Sequence, residues 1–144
     1  MAAACIFCGM IAEGSDDTVF QDAKTAVFLD HRPGFPGHTL LIPRQHHETL
    51  ADLPDELIEP FFRNVRLLAP ALEQAMAADG TFIAINNKVS QSVPHLHVHI
   101  VPRKRKDGLR GFFWPRQKYE SDEQMREVRD RIRAAVKREQ DSGK

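Results

Sequence analysis

The sequence predicts an α+β domain built on an antiparallel sheet of about five strands, with one long helix and a C-terminal helix. Three observations carry this. Short apolar runs bounded by turn residues recur at 18–20, 26–29, 39–42, 81–86 and 95–101. Apolar residues fall at helical spacing between Asp55 and about Ala78. A third segment opens with Ser121-Asp-Glu-Gln124, the pattern of a capping box leading into a helix.

Taken in order, Thr18–Phe20 and Ala26–Leu29 are expected to pair as a hairpin, and the Pro and Gly residues of Pro33–Gly37 mark a loop. Thr39–Ile42 is a strand stopped by Pro43. In the long helix, Ile58, Phe61, Phe62, Val65, Leu68, Leu72, Ala75 and Met76 make the apolar face. Pro70 is expected to kink or shorten it. Asp79-Gly80 ends the helix, Thr81–Asn86 is a strand, and His95–Val101 is the last clear one. Met125, Val128, Ile132 and Val136 are expected to form a narrow buried stripe on the C-terminal helix, with a frayed polar tail from Lys137. Without repeats or a linker, the chain is read as one domain over 1–144, its core spanning about 5–103 and a basic, aromatic loop and helix filling 104–140.

Composition narrows the function. A chain of 144 residues with 42% hydrophobic residues is long and apolar enough for a real core. Twenty basic and twenty acidic residues give a net charge of zero, which argues against a nucleic-acid coat or a basic membrane-surface protein. There is no run of eighteen apolar residues and no secretory pattern at the start, so the expected location is cytoplasmic, with neither nucleic acid nor membrane as partner.

Two features carry chemistry. Cys5 and Cys8 are the only cysteines. A Cys-x-x-Cys pair can be a metal half-site, a redox motif, or two packed thiols; the redox form needs a preceding strand, for which four residues leave little room. The second feature is His95-Leu-His97-Val-His99-Ile. In a strand, residues two apart share a face, so three imidazoles line one side while Leu96, Val98 and Ile100 pack on the other. An ordinary core has no use for three adjacent titratable rings. Imidazole is also the side chain best placed near neutral pH to serve as nucleophile, base or metal ligand.

The run His95-Leu-His97-Val-His99-Ile-Val101 matches the His-φ-His-φ-His-φ-φ signature (φ apolar) of the histidine triad (HIT) superfamily of nucleotidyl hydrolases and transferases. Other segments agree. Gly37-His38, an apolar strand and Pro43-Arg-Gln-His46 resemble the family's Gly-His and Pro-Lys-x-His stretch; Gln91-Ser92-Val93 fits ahead of the triad. Cys5-Ile-Phe-Cys8 resembles the start of the zinc-bearing branch. The resemblance spans about Cys5 to Arg103 and implies a HIT-like fold.

It also implies roles. His97 would be the nucleophile toward the α-phosphorus, forming a nucleotidyl-histidine that water cleaves. His99 would hydrogen-bond phosphate oxygens, and His38 would lie close to the phosphate. Ser92 would contact the phosphate or leaving group, Gln91 would lend its backbone to the phosphate cradle, and Asp30 would bind the ribose hydroxyls. Asn86 or Asn87 would orient groups near the nucleophile. Cys5, Cys8, His46 and His95 would hold a structural zinc ion, with His47 the alternative to His46. The substrate would be a purine nucleotide, and the protein a homodimer joined through the long helix and the Thr81–Asn86 strand.

The chain departs from the family pattern at Ser90, where a glycine is common, and at Lys88 in a short glycine-free loop. The basic run Arg103–Lys106 is either a solvated face or an attractor for polyphosphate. Phe112, Phe113 and Trp114 read as an interface or a substrate-side clamp. Hydrolysis of a nucleotidyl ester, anhydride or phosphoramidate is the leading function. A nucleotidyl transferase or phosphorylase using the same intermediate, a non-catalytic nucleotide-binding protein and a zinc-structured interaction domain are the alternatives.

Overall fold

The computed structural model describes residues 5–109, 111 and 114–142. They form two compact units, Met1–Asp107 and Gly108–Lys144. The first contains helix α1 (Ile6–Glu13), strands β1 (Thr18–Gln21), β2 (Thr25–Leu29) and β3 (Thr39–Pro43), a short 3-10 turn (Leu50–Asp52), helix α2 (Asp55–Met76), and strands β4 (Gly80–Ile85) and β5 (Val98–Arg103). The second contains helix α3 (Asp122–Asp141). The five strands make one antiparallel sheet in the order β1-β2-β3-β5-β4, so the class is α+β.

Strand alternation assigns the two faces of the sheet. Val27, Leu41, Val98 and Ile100 point to one side, where Leu57, Phe61, Val65, Leu68 and Leu72 of α2 cover them. Burying each such side chain contributes about 1.5–3 kcal/mol. Ala26, Phe28 and Ile42 point to the other side and pack with Phe7 of α1. On that side Phe28 pairs with Leu40, Leu40 with His99, and His99 with Ala84, one row across four strands.

Four expectations need correction. The last strand begins at Val98 rather than His95, because the β3–β5 ladder stops at the Leu41–Val98 pair. Pro43 has no N–H to extend that ladder. Leu96 N–H donates instead to the His47 carbonyl, 2.6 Å away. The apolar face of α2 starts from Leu57, leaving Ile58 and Phe62 exposed. Pro70 does not shorten α2, which runs on to Met76; Pro70 and Arg66 are both exposed, so water can serve the carbonyl that Pro70 leaves free. No residue of α3 is buried, and Met125, Ile132 and Val136 are each more than half exposed. A stripe this narrow between charged flanks buries nothing unless a second apolar surface meets it. The Ser121 cap is present, its Oγ accepting from Gln124 N–H at 3.0 Å. Helix α1 was not foreseen. Among the described residues, no helix is long and apolar enough to cross a membrane.

Candidate active site and metal cluster

Three elements converge on the histidine face of the sheet. The β2–β3 connection begins at Asp30 and returns at His38, and Asp30 N–H donates to the His38 carbonyl at 2.9 Å, continuing the ladder past Leu29–Thr39. Gly37 is needed at this return: its φ is +96°, and a Cβ there would lie 2.8 Å from Met76 Cγ and 2.9 Å from Pro102 Cγ. Helix α1 lies across the same face, and the segment from Ser92 to His97 runs into β5. Together they enclose a cleft of about 630 Å³ lined by Ile6, Phe7, Met10, Phe28, Leu29, Asp30, His31, Arg32, Leu40, Ser92, Val93, His97 and His99.

Hydrogen bonds fix the tautomer of each neutral ring. His97 Nδ1 lies 2.7 Å from the His95 carbonyl, which can only accept, so in the neutral ring Nδ1 carries the proton and Nε2 the lone pair. Gly34 N–H donates to His38 Nδ1 at 3.0 Å, so the neutral ring carries its proton on Nε2. That proton is donated to His99 Nδ1 at 3.0 Å, leaving His99 with an Nε2–H donor. The His97 and His99 rings stand 5.0 Å apart. A lone pair and a hydrogen-bond donor therefore lie side by side on one strand face.

Burial pushes His99 down to about 4, helped by His97 and His38 and opposed by Asp30. Burial lowers His38 as well, again against Asp30, whose Oδ2 lies 3.6 Å from His38 Nε2. Both rings are neutral near pH 7 in the folded protein. Unfolded, they titrate near 6.5. Between roughly pH 6.5 and 4 the unfolded chain thus binds protons that the folded chain refuses, and stability falls as pH falls. Urea midpoints of the metal-loaded protein at pH 7 and pH 5 should show this, and His99→Asn should reduce the difference. A midpoint that rises on acidification would contradict the assignment.

Asp30, His38 and His99 also have ligand-like spacing. Gly34 N–H argues against a cation there, since it occupies the one nitrogen of His38 on which the proton could otherwise sit. The other cluster fits a metal. Cys5 Sγ lies 3.4 Å from His95 Nδ1, Cys8 Sγ 3.6 Å from the same atom and 3.4 Å from His46 Nδ1. Tetrahedral zinc with ordinary bond lengths sets neighbouring sulfur and nitrogen ligands about 3.5 Å apart. His95 Nε2–H donates to the Pro43 carbonyl at 2.8 Å, which aims the bare Nδ1 at the thiols. Burial pushes His95 down to about 4, so it is neutral, as a ligand must be. These four residues could hold a metal ion. His47 stands apart, its Nε2 beside Gln45 Oε1.

Of the residues singled out in the sequence, Asp30, Ser92, His97 and His99 line the cleft, and His38 backs His99. The side chains of Asn86, Asn87 and Gln91 instead brace the loop before Ser92. Asn86 donates to the Ser90 carbonyl, Asn87 accepts from Leu50 N–H, and Gln91 links Lys88 N–H to the Glu48 carbonyl. These ties hold Lys88 and Ser90 at positive φ, 72° and 61°, where glycines would be at ease. Lys88 does not line the cleft. In the basic run, Arg103 is clamped by Asp107, and Lys104, Arg105 and Lys106 border a separate hollow with Asp79, Gly80 and Thr81. Phe112 and Phe113 lie outside the described residues; Trp114 is exposed. The sequence reading missed the apolar wall of Ile6, Phe7 and Met10. The only signal was Ile6-Phe7 set between the two cysteines.

Sheet order and histidine row together define the class, a histidine-triad domain. The chain belongs to the HIT domain family, whose profile matches residues 12–106. An uncharacterized HIT-like protein of Saccharolobus solfataricus is 35% identical over 92% of this chain and 94% of its own length. A HIT family protein from Bacillus subtilis has a solved structure with TM-score 0.80 and 32% identity, covering 91% of this chain and 96% of that one. A zinc-bound histidine triad family protein from Mycobacterium smegmatis gives TM-score 0.70 and 30% identity over 95% and 99%. Relatives named for nucleotide hydrolysis include an adenosine 5'-monophosphoramidase of Saccharomyces cerevisiae, 36% identical over 83% of this chain and 75% of the relative. An asymmetrical bis(5'-nucleosyl)-tetraphosphatase of Schizosaccharomyces pombe and an adenylylsulfatase of Arabidopsis thaliana also match.

Proposed function

We propose that this protein is a nucleotidyl hydrolase that cleaves a bond at the α-phosphorus of a purine nucleotide and releases the nucleoside monophosphate. The observation that carries the reading is the His95 carbonyl on His97 Nδ1, 2.7 Å away, which leaves Nε2 as a nucleophile in the cleft. The names of the three hydrolytic relatives differ in leaving group (an amine, a nucleotide, a sulfate) and share a phosphorus on a nucleoside 5'-oxygen, adenosine being named in two of them.

In this scheme the base lies against Ile6, Phe7 and Met10, and Asp30 accepts from the ribose hydroxyls. His97 Nε2 attacks phosphorus, a P–N bond forms as the bond to the leaving group breaks, and the leaving group departs with the bonding pair and takes up a proton from solvent, which the water of the second step gives back. His99 Nε2–H and the Ser92 hydroxyl donate to phosphate oxygens as charge shifts onto them. Water then attacks the same phosphorus, the P–N bond breaks, and His97 returns with its lone pair. Cys5, Cys8, His46 and His95 hold zinc in a closed structural site, which fastens α1 to the sheet and takes no part in these steps. A transferase differs only in the acceptor of the second step.

The test is AMP release from diadenosine tetraphosphate and from adenosine 5'-phosphoramidate. Release from either, through an adduct labile to acid and stable to base as a phosphoramidate is, supports the scheme. Nucleotide bound but never cleaved would leave a binding protein.

The homodimer is part of the same proposal. Strand β4 is an edge strand with Ile83 exposed, and Ile58 and Phe62 of α2 are exposed apolar residues. Ile83→Lys should shift the protein to monomer in analytical ultracentrifugation. An unchanged dimer would place the interface elsewhere.

A further inference from the structure

Helix α1 ties the metal cluster to the apolar end of the cleft. Ile6 and Phe7 stand between Cys5 and Cys8, and Met10 follows one turn on. All three line the cleft. At eight residues, α1 is too short to persist alone in water. Phe7 is its one buried residue. Its N-terminus is capped by Cys5 Sγ, which accepts from Cys8 N–H at 3.5 Å. Both cysteines reach His95, Cys8 also reaches His46, and these histidines belong to the sheet side of the molecule. The Phe7 ring meets both His95 and His97 edge-on, with centroids 5.7 and 5.3 Å apart.

We infer that Cys5 and Cys8 are positioning residues for the nucleoside: a metal held in their cluster clamps α1 as the cleft wall, and so sets the affinity for the base. This rests on the nucleotide reading above. The phosphate end of the cleft is organised separately. The hydrogen bonds that orient its rings do not come from α1: the main-chain carbonyl of His95 holds His97 Nδ1, and His38 and Gly34 hold His99, so α1 adds only the Phe7 edge contact to the His97 ring. The cluster should therefore govern how tightly a base-bearing ligand binds and leave a base-free phosphate ligand nearly unaffected.

The experiment compares the full chain loaded with zinc, stripped by chelation and reloaded. Binding of AMP and of ribose 5-phosphate is measured by calorimetry, and exchange of the α1 amides by mass spectrometry. On stripping, AMP should weaken about ten- to a hundredfold, as expected for losing a wall of two or three apolar side chains, and ribose 5-phosphate by less than about threefold. Amides of α1 should lose protection while those of β2, β3 and β5 keep it, and zinc should restore both. Ile6→Ala alters an exposed side chain, so the protein should fold. It should weaken AMP in the loaded protein and reduce the further loss on stripping. Equal AMP affinity with and without zinc overturns the inference, as does an equal loss for both ligands, which would mean general collapse. Failure of the zinc-loaded protein to bind either ligand overturns the nucleotide reading, and this inference falls with it.

Discussion

His97→Ala is expected to lower AMP release by roughly 10⁴-fold or more, while AMP affinity changes only a few-fold. The size of the effect follows from what the ring supplies. Of the two triad rings that line the cleft, it is the one whose free nitrogen is a lone pair, because the His95 carbonyl holds the ring's N–H on Nδ1. His99 cannot substitute, since the chain from Gly34 through His38 makes its free nitrogen a donor. Alanine also leaves the buried His95 carbonyl without a partner, which costs about 1–3 kcal/mol of stability. Circular dichroism and urea unfolding must therefore accompany the assay. A folded His97→Ala protein that still releases AMP at more than about a hundredth of the wild-type rate would mean that water attacks directly. His99→Ala removes a donor rather than the nucleophile, and about 10²–10³-fold is expected there.

Why the sequence disclosed the histidines so readily is a matter of period. Leu96, Val98 and Ile100 are each fully buried against the α2 core, and a period of two then sends 95, 97 and 99 to the opposite side whatever the strand boundaries are. The error at those boundaries came from hydrogen bonds that hydropathy does not encode, in particular Leu96 N–H turning to His47. Helix α1 was hidden for a similar reason. Eight residues with one buried side chain give no measurable helical stripe, and the contacts that hold them come from residues 38 to 90 positions away in sequence. The tautomers were equally out of reach, because Gly34 and the His95 carbonyl act through backbone groups that every residue has. On α3 the stripe was legible, and burial was the wrong inference from it. Spacing shows that a face is apolar, not that anything covers it.

Removing the metal should be the other large perturbation, and its size can be bounded. A structural zinc in a peptide with no other core is worth about 10–16 kcal/mol, since the whole fold depends on it. Here the sheet and α2 have a core of their own, and the cluster fastens only α1 and the segment around His46 and His95. The expected loss is therefore partial, on the order of 3–5 kcal/mol, with a fall in Tm on the order of 10 °C and a cooperative transition retained. His46→Ala should bind no more than a trace of metal and share the lowered Tm of the stripped wild type, so that chelator has no further effect on it. His47→Ala should keep one metal per chain and respond to chelator as the wild type does, because His47 Nε2 faces Gln45 and not the thiols. The reverse pattern would move the fourth ligand to His47. Full metal content in both variants would mean that neither histidine is needed as a ligand and that the contact between Cys8 Sγ and His46 Nδ1 is a hydrogen bond between a thiol and an imidazole.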